Sequence, residues 1–228
     1  MRTTIIIPAH NEEALVADTV RAALTIPGVE QLIVVDDGSD DETAAVASSA
    51  GADIVRMEHN TGKGAALDAG LELAADYDVL VLIDADLGET AVQAGKLVAP
   101  VSAGVADMVI ATFPPPRKPG GFGLVKGLAR TGIRLLGSGF QVKAPLSGQR
   151  ALTREAVNQV TPFAFGYGVE VAMTVRALRA NLKIVEVATE MTHSETGRDI
   201  SGFAHRARQF MHVAGALMKL VFEKRDGR

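Results

Sequence analysis

Short β-branched runs alternate with alanine-rich stretches of helical length through the first half of the chain. Residues 3–7, 31–35, 53–56, 79–83 and 108–112 read as strands, and 13–24, 42–50, 62–75 and 90–101 as helices. The second of these helices is opened by a capping-type sequence, Ser39-Asp40-Asp41-Glu42. The alternation predicts βαβ units and an α/β fold with a central, mostly parallel sheet flanked by helices. In the second half, 124–136, 168–180 and 203–223 read as helices and 148–152 and 183–187 as strands. The run 114–121, Pro-Pro-Pro-Arg-Lys-Pro-Gly-Gly, can continue neither a helix nor a central strand and predicts a mobile crossover bordering the cleft.

Ligands of such sheets collect at the carboxyl ends of the strands. The polar motifs have that placement: His10-Asn11-Glu12 follows the first strand, Asp36-Asp37-Gly38-Ser39 the second and Asp84-Ala85-Asp86 the fourth. With 228 residues, 47% of them hydrophobic, the chain suffices for one α/β domain, 1–228, and a second independent domain is not expected. A net charge of −4 argues against nucleic acid as a general partner, and the absence of cysteine excludes disulfides, thiolate metal sites and a cysteine nucleophile. The N-terminus runs straight into an apolar strand, and no apolar run approaches the roughly 20 residues of a membrane-spanning helix. The expected location is therefore cytoplasmic, with any membrane contact peripheral, at the inner face.

Two carboxylates one residue apart at a strand end, Asp84 and Asp86, can share the fixing of a hard divalent cation that bridges diphosphate oxygens; two loop aspartates with a capping role would show the same triplet. Lys63, between Gly62 and Gly64 at a helix start, can face phosphate together with free backbone N–H groups, or be a solvated surface lysine. Neither a Walker loop nor a G-x-G-x-x-G fingerprint is present, which argues against a dinucleotide oxidoreductase.

Taken in order, Pro8-Ala9-His10-Asn11-Glu12-Glu13, Val34-Val35-Asp36-Asp37-Gly38-Ser39-Asp40-Asp41, the segment Asn60 to Gly70 and Asp84-Ala85-Asp86 resemble the family 2 glycosyltransferases of the GT-A type. Dolichyl-phosphate mannose synthases and glucosyl-3-phosphoglycerate synthases are among the enzymes the chain is similar to. The resemblance is close over roughly the first 115 residues, the nucleotide-sugar half, and scattered over 116–228, the acceptor half with its terminal helix. It implies that Pro8, Ala9, Asn11 and Glu12 lie against the nucleoside, with Glu12 accepting from the ribose hydroxyls. It also implies that Asp36, with Asp37, meets the base edge, one of the two serving only the turn and helix cap. An imide N–H favours uracil, so a UDP-sugar is the expected donor, although guanine offers a ring N–H too.

Further matches are Leu146-Ser147-Gly148-Gln149-Arg150-Ala151-Leu152, Phe165-Gly166-Tyr167-Gly168-Val169-Glu170 and Met191-Thr192-His193. By resemblance the first two border sugar and acceptor, and His193 joins Asp86 as a ligand of Mn²⁺ or Mg²⁺. In the implied mechanism the cation stabilises the leaving diphosphate, Asp84, Ala85 and Arg198 organise the donor, and an acceptor oxygen attacks the anomeric carbon. Glu170 stands as general base, as partner of the sugar, or as a carboxylate complementing a helix N-terminus. The Glu-Asp pair of many inverting members is absent after residue 150, which leaves the stereochemical outcome open.

Lys118, Lys126, Arg130, Arg134 and Lys143, with His205, Arg206, Arg208, His212 and Lys219, suit a small phosphorylated acceptor or a polyprenyl phosphate in an anionic membrane. Phe203, Phe210, Met211, Leu217, Leu220 and Val221 are expected to pack on the body of the domain. A homodimer is compatible with this reading. Two rivals are a sugar-nucleotide nucleotidyltransferase, whose N-terminal glycine-rich loop is missing, and a non-catalytic nucleotide-sugar-binding module.

Overall fold

The computed structural model describes residues 1–114, 123–164, 166–192 and 200–223, with backbone only at 167 and 200–208. Seven strands form one sheet: β1 (Thr3–Ala9), β2 (Val29–Asp36), β3 (Asp53–Arg56), β4 (Val79–Leu82), β5 (Met108–Thr112), β6 (Arg150–Thr153) and β7 (Ile184–Ala188), in the order β3-β2-β1-β4-β6-β5-β7. All pairings are parallel except those of β6, which runs antiparallel between β4 and β5 with Arg150 opposite both Leu82 and Ile110. The expected mostly parallel α/β sheet is present.

The sheet is covered on both faces, which is why β1 and β4 read as unbroken apolar runs. Ile5, Ile7, Val79 and Val81 face one layer with α1 (Val16–Leu24), α2 (Thr43–Ser49) and α4 (Gly95–Ser102). Ile6, Ile33, Leu80 and Leu82 face the other, with α3 (Lys63–Leu73), α5 (Leu124–Leu136), α6 (Arg154–Val160), α7 (Val169–Arg179) and α8 (Ile200–Phe222).

Several boundaries differ from the sequence reading. The helix expected at 90–101 is entered through a 3₁₀ turn, Gly88–Ala94, before α4 begins. The strand expected at 148–152 starts only at Arg150, and α6 follows it directly, capped by Thr153 Oγ1, which accepts from the Ala156 N–H at 3.1 Å. The pattern reading missed α6, whose seven residues are too few to show a helical period.

The expectation for the terminal helix needs correction. Leu217 and Leu220 are buried as anticipated, but Phe210, Met211 and Val221 face outwards. Close approach of α8 to its neighbours uses up its other faces: a Cβ on Gly132 of α5 would lie 2.3 Å from Leu217 Cδ2, and one on Gly168 2.4 Å from Ala216 Cβ. Phe203 has no described side chain, and the proposed mobile crossover lies outside the described residues apart from Pro114.

Candidate functional site

The carboxyl ends of β1, β2 and β4 and the start of β6 share one edge of the sheet. The loop after β1 is stapled to the loop after β2. Asn11, at φ +57°, donates its N–H to Ser39 Oγ at 2.9 Å and accepts the Asp40 N–H at 2.9 Å through Oδ1. Glu12 donates its N–H to Thr43 Oγ1 at 2.8 Å. His10 Nδ1 lies 2.9 Å from the Asp37 carbonyl, which places the ring proton on that nitrogen.

The paired aspartates divide their work. Asp37 accepts the Thr61 and Gly62 N–H groups, each at 2.8 Å, one on each carboxylate oxygen, and so holds the entry to α3. Asp36 is fully buried; its Oδ1 accepts the Ser39 N–H at 2.9 Å, while among the described residues Oδ2 accepts no hydrogen bond and has Arg56 Nε at 3.5 Å. Gly38 turns the chain directly after them at φ +67°, where a Cβ would meet the His59 and Asn60 backbone at 2.7 Å. Beside this turn a cleft of about 340 Å³ is lined by Gly38, Ser39, Asp40, Arg56, Met57 and Glu58.

The loop after β4 is fixed from α1. Thr19, fully buried, donates its hydroxyl to the Ala85 carbonyl at 2.7 Å and accepts the Gly88 N–H at 2.8 Å. Asp84 then receives Lys63 Nζ at 2.6 Å on Oδ1 and Gln149 Nε2 at 2.6 Å on Oδ2. Lys63 reaches Glu170 Oε1 as well, at 3.0 Å. Burial alone would lower the pKa of this ammonium; the charge of Asp84, and then that of Glu170, outweighs it and holds the group above its ordinary value. Gly148 leaves room for the cluster, since a Cβ there would lie 2.3 Å from Lys63 Nζ and 3.0 Å from Asp84 Oδ1.

Glu12 is half-buried, and its carboxyl is pushed above the usual range first by burial, then by Asp86 and Asp84. Glu12, Asp84 and Asp86 therefore lie near enough for their charges to act on one another. Among the described residues no three His, Asp or Glu side chains close into a complete metal cage. His193 and Arg198 lie outside the described residues.

The structure thus brings Lys63, Asp84 and Glu170 into direct contact, sets Asn11 and Glu12 against the loop after β2, and holds Pro8 and Ala9 in the last turn of β1 opposite Val35 and Asp36. Sequence reasoning did not single out Thr19, Gly148 or Gln149. The last two were visible only as part of a motif, because nothing local says that β6 inserts antiparallel beside β4.

A fully buried arginine underlies the cluster. Arg150 donates from Nε to the Ser147 carbonyl at 3.0 Å and from Nη1 to Thr174 Oγ1 at 3.0 Å. Burial brings its pKa down to about 10, against the opposing pull of Glu170 and Glu186.

Comparison with known proteins places these motifs. The chain is 29% identical over 201 residues to Glycosyltransferase AglJ of Haloferax volcanii, covering 86% of this chain and 64% of that protein. It is 35% identical over 216 residues to the polyprenol monophosphomannose synthase of Mycolicibacterium smegmatis, covering 86% of this chain and 79% of that one. Its fold superposes on glucosyl-3-phosphoglycerate synthase from Mycobacterium tuberculosis, crystallised with Mn²⁺, uridine diphosphate and phosphoglyceric acid. The TM-score is 0.81 at 26% identity, over 96% of this chain and 78% of that one. The family model described as Glycosyl transferase family 2 matches residues 4–159, which contain the stapled loops, Lys63, the Asp84-Ala85-Asp86 turn and Gln149, and the chain belongs to that family.

Proposed function

We propose that this chain transfers a glycosyl group from a UDP-sugar, assisted by Mn²⁺ or Mg²⁺, to an acceptor that carries phosphate. The observation that carries this reading is the arrangement of charge at the sheet edge: one half-buried cation, Lys63, between Asp84 and Glu170, with the carboxylates of Asp84 and Asp86 near enough to Glu12 to raise its pKa. A divalent cation that bridges the diphosphate to these carboxylates lets an anionic ligand bind at an acidic edge, and hard oxygen donors suit both metals. When bound, the cation neutralises the charge that develops on the departing diphosphate. Asp86 would hold it, with His193 as the second protein ligand.

Roles for this chain's residues follow. Pro8, Ala9 and Asn11 form the wall against the nucleoside, with the cleft beside Gly38 as its seat, and Glu12 accepts from the ribose. Of the two aspartates, Asp36 keeps an oxygen that makes no hydrogen bond and is assigned the imide N–H of uracil. Asp84, Ala85 and Arg198 organise the sugar diphosphate. The acceptor oxygen bonds to the anomeric carbon as the bond from that carbon to the diphosphate breaks, and the electron pair leaves with the nucleotide. Glu170 is 6% exposed and ion-paired to Lys63, which supports a role in positioning the sugar over that of a general base. A phosphate oxygen as nucleophile is ionised at neutral pH and needs no base.

Nucleotide release from a panel of UDP- and GDP-sugars, with Mn²⁺ and with phosphorylated acceptors, tests the proposal. UDP release that Asp86→Ala lowers by about 100-fold or more, with melting temperature retained, is the expected result. Tight donor binding without release from any donor would instead favour the non-catalytic binding module.

A further inference from the structure

α8 is packed on two sides and open on a third. Val213, Leu217 and Leu220 are buried, with Leu217 against Gly132 of α5. His212 and Ala216 close on Gly166 and Gly168, and Glu223 pairs with Arg176 of α7 at 2.6 Å. At 100° per residue, the outward side chains Phe210, Met211, Met218, Val221 and Phe222 share one arc of about 120°, and Gly215 extends it to about 140°. Their exposure runs from 41% at Phe210 to 78% at Phe222, and no ionisable residue lies in the arc. Scattered exposed apolar residues are ordinary, but a continuous face over three turns marks a contact surface.

The face continues onto α5. Leu124 and Leu135, 68% and 73% exposed, lie on the side of α5 next to Gly132, the residue that meets α8, so the two outer faces adjoin. Beyond them, on the far edge of α5, come the exposed Lys126, Arg130 and Arg134, with no acidic residue on that helix. A groove of about 630 Å³ opens there, lined by Arg130, Arg134, Leu135, Phe140 and Lys143.

We propose that the joint face of α8 and α5 docks on an anionic phospholipid bilayer, with the apolar arc of α8 at the boundary between headgroups and acyl chains and the basic edge of α5 at the headgroups. Apolar area beside a row of cations is the pattern of interfacial binding, and the basic edge is local in a chain whose net charge is −4. A second copy of the chain is the poorer occupant, because a two-fold contact on this face would bring the basic edges of both copies together. No helix among the described residues is long and apolar enough to cross a membrane, so the attachment is peripheral. The inference is independent of the donor reading, because none of these side chains belongs to the cluster around Lys63.

Cosedimentation of the full chain with phosphatidylcholine vesicles, with and without phosphatidylglycerol, tests it. Binding should require the anionic lipid. Arg130→Gln with Arg134→Gln should weaken it about 30-fold, and Met211→Asp with Met218→Asp by about 10-fold or more. Both variants should keep the wild-type melting temperature and UDP affinity. Equal binding of wild type and variants, or no binding to either vesicle, overturns the proposal. So does a wild-type dimer that the methionine variant dissociates without any vesicle binding, because a second copy would then cover the face.

Discussion

Lys63 is one cation shared by two carboxylates in a half-buried site, so removing it takes from Asp84 and Glu170 the positive charge that they share. Lys63→Met should lower the melting temperature and cost about 100-fold or more in turnover; unchanged values in both assays would show that the cation is ornamental. Gly148→Ala separates the two effects. Its new Cβ would push aside the far end of the flexible Lys63 chain and crowd the Asp84 carboxylate, with no backbone to shift, so turnover should fall with a smaller loss of melting temperature than in Lys63→Met. Glu12 gives the pH dependence. Its folded carboxyl is held above its ordinary value, so its charged form costs stability at neutral pH, and that cost disappears as pH falls through the raised value towards the unfolded one. Thermal melts of Glu12→Gln apo protein should therefore show a higher melting temperature than wild type at pH 7, a gain that shrinks under acid, together with weaker nucleotide binding. A lower melting temperature at pH 7 would reverse the assigned sign.

At the scale of elements, the site depends on loops pinned from a distance. Thr19 of α1 holds both the Ala85 carbonyl and the Gly88 N–H, so Thr19→Val should destabilise the fold by about 1–3 kcal/mol, read by denaturant unfolding, and lower turnover. This pattern explains what the sequence made legible. The ends of β1, β2 and β4 could be read because each parallel strand is a local apolar run followed at once by its polar turn. Asp84 and Lys63 were therefore legible as candidates, whereas their contact with each other and with Glu170 was not visible. The antiparallel β6 was misplaced by two residues at its start, and Gln149, just before it, was not singled out although it meets Asp84 at 2.6 Å. That contact arises from which strand β6 inserts beside, a non-local choice. The outer face of α8 was misread for a related reason: apolar residues at helical spacing look alike whether they meet a core or a surface, and only the positions of α5 and α7 decide between them.

The whole molecule joins an acidic sheet edge, with the metal-bridged diphosphate it would hold, to a basic, apolar flank on the far helices. The two halves make separate demands, so failure at the vesicle surface would leave the donor chemistry standing. The central claim is that diphosphate affinity depends on a divalent cation, since Glu12, Asp84 and Asp86 offer negative charge to a negative ligand and Lys63 is already shared. Titration calorimetry of the full chain with UDP, once with Mn²⁺ and once with EDTA, measures that dependence directly. The account predicts saturable binding with Mn²⁺ that falls by about 100-fold or more in EDTA, the loss expected when the bridging charge is removed. Equal affinity under the two conditions would contradict it.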